Sequence, residues 1–160
     1  RDGSSNLCVK RDEGTSMRDR GDLKMNREEL TAFLDAEFPQ VKGQFGIEEV
    51  RDDGVTVRLH SHEKHLRPGG TVSGPAMFAL VDVAIYLAVL SRVGPKALAV
   101  TTNCSIDFMR KPVSGKDLIG EAHLLKLGRT LAVGEVYLRS EGSEAIVARA
   151  SLTYSLPPKG

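Results

Sequence analysis

Asp82 is the only charged residue between Gly74 and Arg92, in a segment made mostly of Ala, Val, Leu, Ile, Met and aromatic residues. Burying an unpaired carboxylate among such side chains is costly, and perturbed acids of this kind are enriched at functional sites. Asp82 is therefore a candidate general base or nucleophile. The alternative is a structural aspartate bonded to a neighbouring strand or subunit.

Gly74 is the second candidate, because Ser73-Gly74-Pro75 is typical of a helix start: Ser is a favoured capping residue and Pro fits the first turn. Backbone N–H groups at a helix start have no partner within the helix, and the helix dipole favours negative charge there. Gly74 could thus donate to a developing oxyanion. The alternative is a glycine that serves only the sharp entry into the helix.

The spacing of these two residues adds a constraint. Gly74 and Asp82 are eight residues apart, which is about 12 Å along one helix. That is too far for both to act on one carbonyl group, so two chains are needed. We predict a two-fold dimer in which Gly74 of one subunit faces Asp82 of the other, giving two composite sites.

One long helix must carry both residues, because helix-compatible residues continue from Ser73 to Gly94-Pro95. Since Asp82 is its only charge before Arg92, we expect this helix to be covered nearly all round. An earlier helix is predicted to begin at Asn26, with a capping box to Glu29, and to end at Pro39.

The remaining pattern is that of β-strands. A hairpin is predicted around Asp52-Asp53-Gly54, and four longer strands follow the long helix. Their predicted spans are Ala97–Met109, Leu118–Leu127, Leu131–Ser140 and Ala145–Leu156. Consecutive strands predict an antiparallel meander. The expected fold class is α+β, with a curved antiparallel sheet around one long central helix.

Length and composition limit the number of domains and the classes of partner. The 160 residues suit one domain, which we assign to residues 26–160, and the charge-rich residues 1–25 are expected to be a flexible leader, disordered or foreign to the natural chain. A net charge of +1 gives no reason to expect nucleic-acid or membrane binding. Cys8 and Cys104, 96 positions apart, predict neither a disulfide framework nor a zinc site, and we expect a cytoplasmic protein.

Three motifs then resemble the hotdog-fold acyl-CoA thioesterases of the phenylacetate-degradation (PaaI-like) type. They are Gly69-Gly70-Thr71-Val72-Ser73-Gly74-Pro75 with Leu80-Val81-Asp82, Asn103-Cys104-Ser105-Ile106-Asp107-Phe108-Met109-Arg110-Lys111-Pro112, and Lys126-Leu127-Gly128-Arg129-Thr130. The resemblance covers roughly residues 45–156 and is carried by the order and spacing of the motifs.

The resemblance implies a hotdog fold and hydrolysis of a small, medium or aryl acyl-CoA thioester, with coenzyme A (CoA) as part of the substrate and no other cofactor. It also implies dimers, often paired into tetramers, with Gly74 as the oxyanion donor and Asp82 as the catalytic carboxylate. The sequence departs from the motif at three positions. Ser73 replaces the family's histidine, Pro75 its second glycine, and Arg67 an asparagine that is often present. Arg67 and Ser73 are therefore candidates for substrate contacts.

Five further residues could assist such a reaction. Thr101 or Thr102, near the start of a strand that carries a site hydroxyl in the family, could orient a water molecule. Arg110, Lys111 and Arg129 lie at predicted strand ends or turns and could bind the phosphates of CoA, because flexible cations suit such a ligand.

Three alternatives compete with this interpretation. His60, His62 and His65 suggest a metal, but His62-Glu63-Lys64-His65 misses the helical H-E-x-x-H spacing by one residue, so we predict a solvated histidine cluster and no metal site. A β-hydroxyacyl thioester dehydratase of the same fold would pair His65 with Asp82. A hotdog module that binds acyl-CoA without turnover is the remaining alternative.

Overall fold

The computed structural model describes residues 23–96 and 98–158. Two α-helices, α1 and α2, and six β-strands, β1 to β6, account for its regular structure apart from two short 3-10 turns. Their bounds are α1 Arg27–Glu37, β1 Phe45–Arg51, β2 Gly54–Leu59, α2 Gly74–Val93, β3 Val100–Phe108, β4 Leu118–Leu127, β5 Leu131–Ser140 and β6 Ile146–Ser155. The predicted spans of both helices and of the last three strands agree with these bounds to within one or two residues.

The six strands form one antiparallel sheet in the order β1-β2-β4-β5-β6-β3. The predicted meander is therefore wrong at one step, since β3 pairs with β6 and not with β4. Residues 109–117 connect β3 to β4 and contain Pro112 and Gly115. They are too many for a tight turn, and they carry the chain past β6 and β5 to β4. This crossover places β3 at an edge.

Helix α2 lies in the concave face of the sheet, and thirteen of its 20 residues are buried. It is long and apolar enough to span a membrane by length and composition alone, but 72% of its most apolar window is buried inside the fold. The prediction that it is covered nearly all round holds except along one stripe. Pro75, Phe78 and Ala79 are exposed on that stripe, while Asp82 and Val83 are half-buried; we call these five residues the open stripe.

Helix α1 begins at the predicted capping box, in which Asn26 Oδ1 accepts from the Glu29 N–H and Glu29 Oε1 accepts from the Asn26 N–H. Its apolar side chains Leu30 and Leu34 are buried in the common core. Residues 1–22 of the predicted leader lie outside the described residues, and Met25, in the described part, is buried in the same core.

The architecture confirms the predicted fold class. One antiparallel sheet curves around a single long helix, and that helix packs mainly against β2, β4 and β5. This is the hotdog arrangement. It holds Asp82 at the middle of the open stripe and Gly74 at the start of the helix.

Candidate active site

Two hydroxyl groups hold the carboxylate of Asp82, and both bind the same oxygen. Thr101 on β3 donates its hydroxyl to Asp82 Oδ1 at 2.5 Å, and the Tyr154 hydroxyl on β6 donates to the same atom at 2.6 Å. The Tyr154 hydroxyl also lies 3.0 Å from the backbone carbonyl of Asp82. No described residue hydrogen-bonds Oδ2, so that oxygen remains available for chemistry.

A cavity of about 440 Å³ opens beside Asp82. Its walls come from α1, α2 and β3 and from the short 3-10 turn Pro39–Val41, and they are mostly apolar. Leu34, Phe38, Val83 and Val100 are among the apolar residues that line it. A carboxylate at the wall of an apolar cavity is an arrangement typical of small-molecule sites.

The phenol and thiol groups near Asp82 are held in their neutral forms. Burial, and then the negative charge of Asp82, raise the pKa of Tyr154, so its hydroxyl serves as a donor. Burial raises the pKa of Tyr86, which also lines the cavity, to about 12. Burial, followed by the charge of Asp82, also raises the pKa of the Cys104 thiol. Asp82 is therefore the candidate for base or nucleophile, and Cys104 is not.

The first turn of α2 leaves one backbone donor without a partner. Pro75 has no N–H, the Ala76 N–H donates to Ser73 Oγ at 3.3 Å, and the Met77 N–H donates to the Ser73 carbonyl at 3.0 Å. Among the described residues, none accepts a hydrogen bond from the Gly74 N–H. The helix start therefore presents a single free N–H, with the positive end of the helix dipole behind it.

Within one chain, Gly74 and Asp82 remain apart, because both lie on the continuous helix α2 at a separation of about 12 Å. Gly74 lies beside the end of the edge strand, since a Cβ atom built on Gly74 would be 3.6 Å from the Phe108 ring. The two candidate groups thus mark two separate points along one exposed surface, as the spacing in the sequence predicts.

The structure gives the predicted hydroxyl residues different surroundings. Thr101 holds the carboxylate of Asp82 itself, and Ser73 caps α2. Thr102 is exposed at a β-bulge and donates to the Thr153 carbonyl at 3.3 Å. Of these three, only Thr101 lines the cavity beside Asp82.

The predicted cationic residues lie at opposite ends of α2. Arg110 and Lys111 are exposed and lie two and three residues after Phe108, at the end where Gly74 lies. Arg129 is exposed in the turn between β4 and β5 and lines a different cavity, next to Val93 at the other end of the helix. Arg67 is exposed in the loop before α2 and is not among the residues that line the Asp82 cavity.

The prediction of a solvated histidine cluster is wrong for His65, which is 7% exposed. Its Nδ1 accepts from the His62 N–H at 3.0 Å, so its ring proton is on Nε2, which lies 3.0 Å from Gln44 Oε1. Both ring nitrogens are thus engaged by His62 and Gln44, which counts against His65 as the acid of the dehydratase alternative. Among residues 23–96 and 98–158, no group of three or more His, Cys, Asp or Glu side chains is placed to hold a metal.

Sequence reasoning missed Tyr154 and the contribution of α1. Tyr154 lies on the last strand, 72 residues after Asp82, and a tyrosine in a strand pattern reads as an ordinary core residue. The sequence did contain a signal for such a residue. Burying the carboxylate of Asp82 is costly unless hydrogen-bond donors surround it, and the nearby strands had to supply those donors.

Comparisons with known proteins identify the family to which this fold belongs. A family model described as the thioesterase superfamily matches residues 69–147. A crystal structure of a candidate thioesterase from Silicibacter sp. TM1040 is 58% identical, with 86% of this chain and 95% of that chain covered and a TM-score of 0.81. Human acyl-coenzyme A thioesterase 13 is 29% identical over 133 residues, with 81% of this chain and 93% of that protein covered.

A third relative extends the comparison to the type that the motifs resemble. A variant of the phenylacetic acid degradation protein PaaI from Thermus thermophilus is 28% identical, with 74% of this chain and 99% of that chain covered and a TM-score of 0.64. The resemblance predicted from the motifs is confirmed, and so is the prediction of a thioester hydrolase. The chain belongs to the thioesterase superfamily.

Proposed function

We propose that the protein hydrolyses acyl-CoA thioesters with a small, medium or aryl acyl group, using Asp82 of one subunit and the Gly74 N–H of a second. The observation that carries this proposal is the carboxylate of Asp82, fixed through Oδ1 by Thr101 and Tyr154 at the wall of an apolar cavity. The human relative is named for the same class of substrate.

In the proposed reaction, the thioester carbonyl lies between Oδ2 of Asp82 and the Gly74 N–H. Asp82 either removes a proton from an attacking water or attacks the carbonyl itself. Negative charge then develops on the carbonyl oxygen and is stabilised by the Gly74 N–H. Collapse of the tetrahedral species breaks the carbon–sulfur bond, and CoA leaves as the thiol after taking up the proton that Asp82 removed from water or, after direct attack, a proton from solvent. After direct attack, a water molecule hydrolyses the mixed anhydride on Asp82, which releases the acid and restores the carboxylate.

The two routes for Asp82 differ in where the solvent oxygen first appears. In a single turnover in ¹⁸O-labelled water, direct attack by Asp82 forms a mixed anhydride, and attack of water on its Asp82 carbonyl places the label in the protein and an unlabelled oxygen in the acid. Activation of water by Asp82 places the label in the acid. Mass spectrometry of the peptide that contains Asp82 is the decisive measurement, because label in that peptide arises only by direct attack.

A second copy of the chain is the proposed partner. The open stripe leaves Phe78 42% exposed, and Val100 and Phe108 on the edge strand β3 are 54% and 52% exposed. An apolar surface that continues from a helix to a sheet edge is typical of an interface. A two-fold axis near the open stripe would bring Gly74 of each copy toward Asp82 of the other.

The size of the cavity supports the proposed acyl group. About 440 Å³ is near the lower end of the range for small-molecule sites, and its apolar walls suit a short chain or a single aromatic ring. In a panel of acetyl-, phenylacetyl-, hydroxybenzoyl- and long-chain fatty acyl-CoA, we expect the highest kcat/KM for one of the aryl esters. A marked preference for the long chain would contradict the proposed size limit.

Replacing Asp82 by asparagine tests the reaction itself. The amide oxygen of Asn can still accept from Thr101 and Tyr154, while the amide nitrogen takes the position of Oδ2 and cannot act as base or nucleophile. We expect Asp82→Asn to abolish release of free thiol while acyl-CoA binding is retained. Asp107→Asn, on the exposed face of β3, is the matched control and should retain activity.

The same experiment separates the proposal from a binding module without turnover. Acyl-CoA binding by the wild-type protein with no thiol release from any ester of the panel would favour the binding module. Unchanged hydrolysis in Asp82→Asn would refute the assigned role of Asp82.

Mixed dimers test the composite site. Asp82→Asn and Gly74→Pro, each inactive alone, are co-refolded in equal amounts. Random pairing gives half heterodimers, each with one intact site, so about a quarter of wild-type activity should return. If Gly74 and Asp82 acted within one chain, no activity would return.

A further inference from the structure

We propose that the Tyr86 hydroxyl selects acyl groups that carry a neutral oxygen substituent, a hydroxyl or an oxo group, at their far end; this inference rests on the proposed function. The cavity beside Asp82 is lined by four polar side chains, those of Asp82, Tyr86, Thr101 and Tyr154. Three of them are bonded together, because Thr101 and Tyr154 both donate to Asp82 Oδ1. Tyr86 is the fourth, and its hydroxyl has no hydrogen-bond partner among the described residues.

The unpartnered hydroxyl is also buried. Tyr86 as a whole is 6% exposed, and its hydroxyl oxygen is buried as well. A buried hydroxyl without a partner is costly, and native structures contain few such groups. Phenylalanine would fill nearly the same volume without that cost. A polar group of the substrate would supply the partner, since small-molecule sites combine apolar walls with a few polar groups that fix the ligand.

Two aromatic contacts fix the ring of Tyr86. Its centroid lies 5.5 Å from that of Phe38, in an edge-to-face arrangement, and 6.2 Å from that of Tyr154. Both neighbours line the same cavity. The ring is thus held between the end of α1 and strand β6, and little ordering of Tyr86 is needed when a ligand binds.

Tyr86 lies about one helical turn beyond Asp82. Residues four positions apart share one face of a helix, and this separation is about 6 Å along the axis of α2. An extended chain advances by about 1.2 Å per bond. A thioester carbonyl bound at Asp82 would therefore bring to Tyr86 an oxygen that is roughly five bonds further along the acyl group.

The charges at the cavity favour a neutral substituent. Burial, and then the negative charge of Glu37, raise the pKa of Tyr86 to about 12, so the hydroxyl stays protonated at neutral pH and can donate or accept. No Lys, Arg or His is among the described residues that line the cavity. A carboxylate on the acyl group would therefore be buried without a cation and close to Asp82. A hydroxyl or an oxo group avoids both costs.

The test uses two pairs of CoA esters, hexanoyl with 5-oxohexanoyl and benzoyl with 4-hydroxybenzoyl. The members of each pair differ only in the oxygen substituent. In at least one pair, we expect the wild-type KM to be about tenfold lower for the substituted ester. Tyr86→Phe should remove this difference by raising KM for the substituted ester alone, with kcat unchanged. The pair that responds shows whether the oxygen belongs on a chain or on a ring.

The other two tyrosines provide the comparison variants. Tyr137 on β5 packs against His123 and is not among the residues that line the cavity, so Tyr137→Phe should change neither pair. Tyr154→Phe should lower kcat for all four esters alike, because Tyr154 acts through Asp82. In thermal melts, Tyr86→Phe should be at least as stable as the wild type, since it removes an unpartnered polar group.

Several outcomes would overturn the inference. Equal wild-type KM values within both pairs would do so, as would a Tyr86→Phe variant that keeps the difference or changes both members equally. A clear loss of stability in Tyr86→Phe would show that the hydroxyl already has a partner in the free protein, which also contradicts the inference.

A failure of the proposed function can be told apart from a failure of this inference. If the wild-type protein hydrolyses none of the four esters, the proposed function fails, and calorimetry with the same esters decides the role of Tyr86. Tighter binding of a substituted ester that Tyr86→Phe loses would support that role. Equal binding within both pairs, or no binding at all, would refute it.

Discussion

Gly74→Pro removes one atom group from the candidate site, the backbone N–H proposed to bind the oxyanion. The backbone tolerates this change. Gly74 is the first residue of α2, where proline is favoured, and the preceding residue Ser73 has φ −77° and ψ 160°, the extended conformation that proline requires of its neighbour. Residue 74 is itself helical and precedes Pro75, where a residue with a Cβ atom is disfavoured. We therefore expect Gly74→Pro to fold, with a modest loss of stability that Gly74→Ala shares.

The expected loss of activity is large because the first turn offers no substitute donor. Pro75 lacks an N–H, and Ser73 already accepts from the Ala76 and Met77 N–H groups. Removal of one oxyanion donor typically lowers kcat by about 10²–10³-fold, or roughly 3–4 kcal/mol of transition-state stabilisation. We expect Gly74→Pro to show a loss in this range.

Gly74→Ala is the matched control, since it adds a methyl group but keeps the N–H. Its Cβ would lie 3.6 Å from the Phe108 ring, an ordinary van der Waals contact. Initial rates of thiol release should stay within a few fold of wild type in Gly74→Ala and fall in Gly74→Pro, with thermal melts confirming that both are folded. Equal activity of the two variants would show that the Gly74 N–H does not take part.

Three further perturbations test the remaining contacts. Tyr154→Phe removes one of the two donors to the carboxylate and should lower kcat about tenfold or more with little change in KM, which stopped-flow or steady-state assays measure. Phe78→Asp on the open stripe should yield monomers without activity in light scattering and rate assays, whereas Leu125→Asp, a site that is 58% exposed, should leave both unchanged. Burial, and then the positive charge of Lys64, lower the pKa of His65, so the folded state binds a proton less readily than the unfolded chain. Its contribution to stability should be complete above pH about 6.5 and decrease as the pH falls below that value, and chemical denaturation of wild type and His65→Gln across this range should show the difference.

Much of the fold could be predicted because local signals were strong. The capping box at Asn26 and the Ser73-Gly74-Pro75 start fixed the two helices, and alternating apolar residues placed the last three strands within one or two residues of their observed bounds. The place of β3 in the sheet could not be predicted in the same way. Pairing order depends on contacts between residues distant in the chain, and the pairing of Val100 with Ser155 leaves no local signal.

Part of the candidate site could be predicted because burying a charged side chain has an energetic cost. Asp82 was identified because a charge among apolar residues needs an explanation. Thr101 was named, together with Thr102, from the family resemblance as a residue that could orient water, and its hydrogen bond to Asp82 was not predicted. The hydrogen-bond partners of that charge depend on packing across the sheet. Tyr154 on β6 is one of these partners, and nothing near Asp82 in the sequence indicates it. His65 shows the opposite error, because a histidine in a polar stretch looked solvated until its contacts with His62 and Gln44 were known.

The departures from the family motif at the helix start strengthen the case for a single donor. A glycine at position 75 would supply a second free N–H, and Pro75 supplies none. Ser73, in place of the family's histidine, uses its hydroxyl to cap the Ala76 N–H. In that cap the Ser73 Oγ accepts and its O–H can still donate, so only the change at position 75 removes a donor, and it leaves the Gly74 N–H as the free backbone donor at the positive end of the helix. Pro75 therefore leaves the first turn with one free backbone N–H, and this is why the Gly74→Pro and Gly74→Ala pair can isolate the effect of that group.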